Sequence, residues 1–386
     1  MHLDFIEAYN FRNISGKIFW GRGLNIIYGS NGQGKTNWLE AIYLLSRTKS
    51  FRTHRLQESI SFGQELASVR GQVSSGSEIR RQLQISLQAN TKSISVNEKK
   101  ETLARYLGQF PAFAFTADEL EVVRGMPEAR RRFIDRGVSS LTPAYVQTLS
   151  SYNKVIKQKN RILQHSAEGK LDLNTTEDLL TPWNEQLVQL AGQIHRARTE
   201  YIRRLNSVLE QRLFEGREIL IHYVSFLNSK GDLSDYEALL ADRLRLRFTA
   251  EIAAGRALLG PHRDDLAIIS AGKEMRVFGS AGQQRSALLL LDLAAISLYN
   301  LEYDDYPVFL IDDVDAELDE KRIERLLQYL EGRTQTFITT SKRSHVQEFL
   351  SRATDYEIED GKVAPLPTEH EYSPRSLAAA DGPLET

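Results

Sequence analysis

The sequence predicts an α/β protein in which a mixed sheet around a phosphate loop is split by an inserted all-helical lobe. Three observations predict it. A glycine-rich turn joins an apolar strand to an amphipathic helix between Tyr28 and Leu45, helical periodicity runs from about Pro127 to Leu213, and short apolar strands return after about Ala250. The boundaries are 1–120 and 251–364 for the two halves of the α/β lobe, 121–250 for the helical lobe, and 365–386 for a tail.

Taken in order, Leu3, Phe5 and Tyr9 alternate as a strand, and Leu24–Tyr28 form a second apolar run that stops at Gly29. Between Leu66 and Val96, runs such as "RQLQISLQ" and "TKSISV" separated by Gly, Ser and Asn read as antiparallel hairpins on the same lobe. In the middle, Thr181 can cap a helix with Pro182 at its first position, followed by Leu187, Leu190, Ile194, Tyr201 and Val208 on one face. Then "PVFLIDD" reads as a buried parallel strand, Lys321–Leu330 as a helix and "TFITT" as another strand. Past Pro365 there is little to bury, which predicts a disordered tail.

With 386 residues, 41% of them hydrophobic, the chain can bury a sizeable core in more than one lobe. It has no cysteine, which excludes disulfides, thiol nucleophiles and Cys-based metal centres, and its eight His show no HExxH spacing. The most apolar run, Ala287–Leu298, is broken by Asp292 and too short to span a bilayer, so a cytoplasmic protein without a membrane partner is expected. The formal charge of −2 means that a nucleic-acid partner has to be met by a local basic patch.

Gly29-Ser30-Asn31-Gly32-Gln33-Gly34-Lys35-Thr36 fits G-x-x-x-x-G-K-[ST]. Backbone N–H groups freed by the glycines can curl around phosphate oxygens at a helix N-terminus, Lys35 can reach the β and γ phosphates, and Thr36 can offer its hydroxyl to Mg²⁺. Asp312 and Asp313, ending the strand "VFLIDD", supply the second half of such a site: Asp312 as a Mg²⁺ partner, Asp313 as a base or water-orienting carboxylate. Lys35, Asp312 and Asp313 are the catalytic candidates, and Thr36 with Asp312 the metal candidates. No N-K-x-D is present, since "NSKGD" at Asn228–Asp232 carries an extra Ser229, so ATP is expected rather than GTP.

Gly279-Ser280-Ala281-Gly282-Gln283-Gln284-Arg285 precedes a strongly apolar helix. As physics it is an anion site with nothing to bind in its own chain, and a plain capped helix start accounts for the same residues. The order of these elements, with Ala316-Glu317-Leu318-Asp319 after the acids, resembles the ABC-type ATPases. The match narrows further. "NFRN" (Asn10–Asn13), "NGQGKTNWLEAIYLL", "RRRFID" (Arg130–Asp135), "GPHRDDL" (Gly260–Leu266), "FGSAGQQR" (Phe278–Arg285) and "IDDVDAELD" (Ile311–Asp319) occur in the order seen in the RecF family, SMC-like ATPases of bacterial recombinational gap repair.

The resemblance covers nearly the whole chain except the tail. It implies an ABC/SMC-like ATPase head that binds ATP and Mg²⁺ and forms an ATP-dependent homodimer with two nucleotides sandwiched, each phosphate loop facing the partner's Ser280. It further implies binding of duplex DNA near single-strand gaps and cooperation with RecR and RecO in loading RecA. The cofactor-binding candidates are then Gly29 through Thr36, Asn37, Arg12, Ser280, Gly282 and Gln283. Ala281 and Ala316 depart from the family's usual polar residues, "FITTSKRSH" leaves Thr340 or Ser341 at the switch position, and the segment completing the Mg²⁺ shell falls near Phe115–Leu120.

A basic run with few acids lies between Arg124 and Lys170, with Tyr145 and Tyr152 interspersed. Read as a backbone-contacting surface rather than a solvated helix face, it offers Arg130, Arg131, Arg132, Lys154, Lys157 and Lys159 as nucleic-acid contacts, with affinity falling as salt rises. In "GPHRDD" the Pro makes a turn and Arg263 is expected to pair with Asp264 or Asp265. An ABC-type module of another system and a phosphate-loop kinase of a small molecule are the alternative functions.

Overall fold

A computed structural model describes residues 1–363 other than 77–78, 90, 210–218, 319, 343–346, 348 and 350. The expected tail at 365–386 and Asp319 of the "AELD" run lie outside the described residues.

Three sheets organise the described residues. The first is antiparallel, in the order β2 (Ile14–Phe19), β1 (His2–Phe11), β4 (Leu66–Ser75), β5 (Ile79–Gln88), β6 (Thr91–Val96), β7 (Lys99–Lys100). The second runs β15 (Lys362–Val363), β14 (Thr354–Glu359), β3 (Leu24–Tyr28), β13 (Thr336–Thr340), β12 (Val308–Ile311), β8 (Ala112–Phe115), parallel except for β15 at its edge. A third, small sheet joins β11 (Lys273–Glu274), β10 (Asp265–Ser270) and β9 (Ile219–Val224).

The central parallel strands are covered on both faces, which is why they read as continuous apolar runs. On one side lies the helix Lys35–Arg47, in a core where Trp38, Leu39 and Leu44 meet Leu3, Val69 and Ile85 of the antiparallel sheet and Leu310 and Phe337 of the parallel one. The sequence pattern makes this helix amphipathic; the fold buries it all round. Its one buried acid, Glu40, is neutralised by Arg12, which grips it with two hydrogen bonds of 3.0 and 2.8 Å. On the other side, Phe309, Ile311 and Ile338 share a core with Leu288 and Leu291 of the helix Ala281–Tyr303 and with Leu187 and Ile194 of the helical lobe. That apolar helix is a core element, sheathed by protein on most of its surface.

The lobe inserted between β8 and β10 contains the helices Pro127–Leu141, Tyr145–Ala167, Leu173–Leu209 and Tyr236–Leu246. Its longest helix does not begin at Thr181. Asp172 caps it by accepting from the Thr175 N–H at 2.9 Å, and Pro182 sits inside. Leu180 and Thr176 are already buried upstream, so packing carries the helix through the proline, which forfeits one backbone bond on an exposed face, while the Thr181 hydroxyl donates to the Glu177 carbonyl. The lobe also contributes β9, whose antiparallel pairing with β10 from Asp265↔Val224 to Ser270↔Ile219 ties it to the segment after "GPHRDD".

Ion pairs reinforce that joint. Arg130 grips Asp265 at 2.6 and 3.0 Å, and Arg198 grips Asp135 at 2.8 and 2.9 Å while donating to the Pro261 carbonyl. Arg263, expected to pair with a neighbouring Asp, donates instead to the Ala257 carbonyl at 3.2 Å, because Asp265 is taken by Arg130 and Asp264 accepts from Tyr223 and the Phe226 N–H. The motifs "RRRFID" and "GPHRDD" thus meet as the bracket between the lobes.

Candidate phosphate-binding site

β3, β13 and β12 lie side by side and parallel, so their C-terminal ends open onto one edge, where ligands of open α/β sheets bind. The loop after β3 turns on Gly29, at φ +143°, where a Cβ would stand 2.5 Å from the Ile358 carbonyl oxygen. Gly34, at φ +105°, is the left-handed residue that starts the helix at Lys35.

The loop borders a cleft of about 390 Å³ lined by Asn31, Gly32, Gly34–Asn37, Arg52, Ala117, Asp312, Asp313 and Thr339. Lys35 Nζ donates to the carbonyls of Gly29 and Ser30 at 2.7 and 3.0 Å. Burial lowers its pKa, against the raising effect of Asp313, Asp312 and Asp315. An ammonium held only by neutral carbonyls is poised for an anionic partner.

Thr36 Oγ1 donates to Asp312 Oδ1 at 2.9 Å and Thr339 Oγ1 donates to the same oxygen at 2.7 Å. Burial raises the Asp312 carboxyl above its ordinary pKa, while the two hydroxyls pull it back and Asp313 pushes it further up. A divalent cation would supply the positive charge this pair of acids lacks, and a hydroxyl beside one carboxylate is the sparse, hard donor set that Mg²⁺ uses when phosphates fill the rest of its shell. No group of three or more His, Asp or Glu side chains suited to a metal occurs among the described residues.

Asp313 sits at φ 48°, ψ 56°, with its N–H donating to Thr339 Oγ1 at 2.7 Å, and its side chain is exposed at the cleft. A non-glycine residue in the left-handed region costs energy, and here that backbone sets an exposed carboxylate at the cleft that Lys35 and Asp312 also line.

Not every candidate lines the cleft. Gln33 faces the β14–β15 turn, accepting from the Asp360 N–H, and Arg12 is spent on Glu40 and on the Glu58 carbonyl. Arg12 is therefore a brace of the loop's helix, a correction to its reading as a nucleotide contact. Ser280 is the N-cap of the helix Ala281–Tyr303 in a reciprocal capping box with Gln283. It is exposed, and neither it nor Gly282 nor Gln283 borders the cleft of its own chain.

Three lining residues were not legible as such. Arg52 donates to Asn37 Oδ1 at 2.6 Å from a loop without periodicity, Thr339 lies in the "TFITT" strand, and Ala117 brings the Phe115–Leu120 segment to the site. The double Thr ending that strand and the expectation that the segment completing the Mg²⁺ shell falls near Phe115–Leu120 were the signals for two of them; Arg52 carried none.

The basic run divides in two. Lys154, Lys157 and Arg132 are exposed, and Arg131 is half-buried with a bond to the Asp264 carbonyl. Arg130, 2% exposed, and Lys159, fully buried, are not surface residues. Lys159 Nζ meets Glu251 at 2.6 Å and Asn184 at 2.7 Å, so both are corrected from nucleic-acid contacts to internal ion pairs.

With this geometry in hand, comparison places the chain among known proteins. The family model described as the RecF/RecN/SMC N terminal domain matches residues 2–362. DNA replication and repair protein RecF of Enterococcus faecalis is 35% identical over 373 residues, covering 94% of this chain and 98% of that protein. Its counterpart in Shouchella clausii is 33% identical over 377 residues, covering 95% and 100%. A solved structure of the recombination mediator protein RecF-ATP in the RecFOR pathway superposes with a TM-score of 0.85 at 32% identity, covering 94% of this chain and 97% of that one. An SMC head bound to a winged-helix domain of ScpA, at 15% identity and TM-score 0.51, shares the fold.

Proposed function

The chain belongs to the RecF family, and from that premise we propose that it is a nucleotide-gated DNA clamp: an ATP-binding protein of DNA replication and repair that dimerises on ATP and dwells on duplex DNA near single-strand gaps. The observation that carries the reading is a division of labour. The cleft gathers Lys35, Thr36, Asp312 and Asp313, whereas Ser280 stands exposed at a helix N-terminus outside it, an anion-binding element with no anion of its own chain to meet. A second copy, its Ser280 set against this chain's γ-phosphate, completes both sites at once.

In hydrolysis, a water oxygen attacks the γ-phosphorus as the bond to the β–γ bridging oxygen breaks, releasing ADP and phosphate. Asp313 orients that water and takes its proton, while Lys35 leaves the Gly29 and Ser30 carbonyls to follow the charge on the γ-phosphate. Thr36 and Asp312 would hold Mg²⁺, which would supply Lewis-acid charge to the phosphates. Loss of the γ-phosphate removes the link between copies, so turnover, slow and DNA-dependent, resets the clamp. RecR and RecO would then act on the DNA-held dimer to load RecA.

Light-scattering mass with ATP, with ADP, and with ATP plus gapped duplex, at two salt concentrations, tests this. The expected result is a doubled mass with ATP only, strengthened by DNA and weakened by salt. A monomer under every condition overturns the shared-site reading and revives a small-molecule kinase.

A further inference from the structure

Asp292 breaks the most apolar run of the sequence, and the site described above does not use it. It is fully buried in the helix Ala281–Tyr303, and both its carboxylate oxygens lack a hydrogen-bond partner among the described residues. Arg136 of the helix Pro127–Leu141 holds its Nη2 3.8 Å from Asp292 Oδ1, beyond hydrogen-bond reach. Its Nη1 donates to Glu119, while its buried Nε and Nη2 are also unpartnered among the described residues. Two donors without acceptors thus stand beside two acceptors without donors.

The match is one of shape as well as number. Nε and Nη2 share one edge of the guanidinium, and the two oxygens of a carboxylate fit that edge. By the same edge Arg130 grips Asp265 and Arg198 grips Asp135 in this molecule.

We propose that Arg136 and Asp292 are a positioning pair for the shared site: closing this fork draws the helix that begins at Ser280 towards the helix Pro127–Leu141 and sets the serine for the second copy's γ-phosphate. The inference rests on the reading of Ser280 as the group that completes the partner's site, and adds what holds its helix in place. Glu119 lies two residues past Ala117, which lines the cleft. One guanidinium therefore joins the cleft's edge, through Nη1, to the helix of Ser280, through the opposite edge, and the fork closes without releasing Glu119. A shift of about 1 Å brings the pair to bonding distance. A helix moves as a unit, so that shift reaches Ser280 about 18 Å along the axis.

The surroundings favour a second, better-paired arrangement. Arg47, in the last turn of the phosphate-loop helix, donates from Nε to the Ala112 carbonyl at 3.0 Å and leaves Nη2 buried and unpartnered. The Tyr201 hydroxyl is likewise buried and unpartnered, on a ring set against the backbone of Gly137, where a Cβ would stand 2.1 Å away. Burial raises the Asp292 carboxyl well above its ordinary pKa, against the lowering pull of Arg136, and Glu119 pushes it further up. Unpaired buried groups carry their full desolvation penalty, and a packed core that holds several of them gains by moving between discrete arrangements.

Sedimentation equilibrium of the full-length protein titrated with ATP reads the dimerisation constant, and a melting curve without nucleotide reads stability. Asp292→Asn keeps the side chain's size and removes one of the fork's two acceptors. It should melt no lower than the parent, since the carboxylate has no hydrogen bond to lose. It should bind a fluorescent ATP analogue within about twofold of the parent, because Asp292 lies outside the cleft. Its ATP-driven dimerisation should weaken about tenfold or more. Arg136→Lys keeps a cation for Glu119 and loses the fork, so it should weaken dimerisation to a similar degree, and the double variant should be no weaker than either single one. Dimerisation of Asp292→Asn at the parent's strength, a melting temperature lowered by that change, or losses that add in the double variant each overturns the proposal and leaves the shared-site reading standing. A parent that stays monomeric with ATP removes that reading, and this inference with it.

Discussion

Thr36 and Asp312, 276 residues apart, share a 2.9 Å hydrogen bond from hydroxyl to carboxylate. The hydroxyl belongs to the first turn after the phosphate loop and the carboxylate to the end of β12, with Thr339 of the strand between them closing on the same oxygen. A cation held by both groups, as proposed, would have only to replace this proton-mediated contact, because the two side chains already meet.

Thr36→Val should therefore keep nucleotide affinity in EDTA and lose the gain that Mg²⁺ provides, by about tenfold or more. Titration of a fluorescent ATP analogue with and without Mg²⁺ reads this. Equal Mg²⁺ enhancement in parent and variant would remove Thr36 from the metal site.

Asp313→Asn is conformationally mild because Asn tolerates the left-handed backbone that Asp313 adopts. The variant should bind ATP as the parent does, hydrolyse it at least ~100-fold more slowly for want of a proton acceptor, and stay dimeric longer. Single-turnover phosphate release, followed beside light scattering, distinguishes this from a folding defect, which would lower binding too.

Ser280 caps its helix as well as facing outward, so a simple deletion confounds two roles. Asp caps as well as Ser does. Ser280→Asp should melt within about 0.5 kcal/mol of the parent yet fail to dimerise on ATP, since its carboxylate would confront the γ-phosphate. Ser280→Arg should also bind ATP as a monomer. Normal dimerisation of both variants would end the shared-site reading.

Lys159 and Lys154 are five residues apart and in opposite worlds. Lys159→Met leaves Glu251 buried without its cation, which should cost about 3–5 kcal/mol in urea unfolding and be largely restored by adding Glu251→Met. Lys154→Glu/Lys157→Glu should leave stability unchanged and weaken duplex binding, lowering its salt slope by about 2. Unchanged duplex affinity in that pair would move the DNA contact off this helix.

Burial lowers the His262 imidazole from 6.5 to about 4, where its Nδ1 meets the Tyr152 hydroxyl at 2.6 Å, and burial lowers His195 to about 4 as well. The unfolded chain then binds more protons than the folded one between these values, so their contribution to stability is complete above about pH 6.5 and declines as pH falls towards about 4, with a slope of at most ~1.4 kcal/mol per pH unit for each His. Buried Asp264 and Asp312, raised above their ordinary values, pull the other way. His262→Gln isolates the term: its melting temperature should be lower at pH 7 but fall less steeply on acidification. Parallel slopes in parent and variant would exclude His262.

Local patterns carried a large part of this protein. The phosphate loop, the acid-ended strand and the hairpins were legible because each depends on near neighbours: glycines that permit positive φ, a strand period of two, a helix N-terminus beside a conformationally free turn. Family motifs extended that reading to the order of the whole chain.

What the residues touch across the fold was decided by packing. The proline in "LLTPWNEQL" reads as a helix start, but a helix that buries apolar residues on both sides of it runs through. The basic run reads as one surface; helix phase turned Lys154 and Lys157 outward and Lys159 inward, and the return of β10 claimed Arg130. Arg12 reads as part of a nucleotide motif, yet Glu40, buried by two sheets closing on its helix, needs a cation more. Sequence determined which groups are present and how the chain is locally bent, since those terms act over a few residues. Tertiary structure alone decided which charges are desolvated, because that penalty is set by partners distant in the chain, as in Arg130 with Asp265.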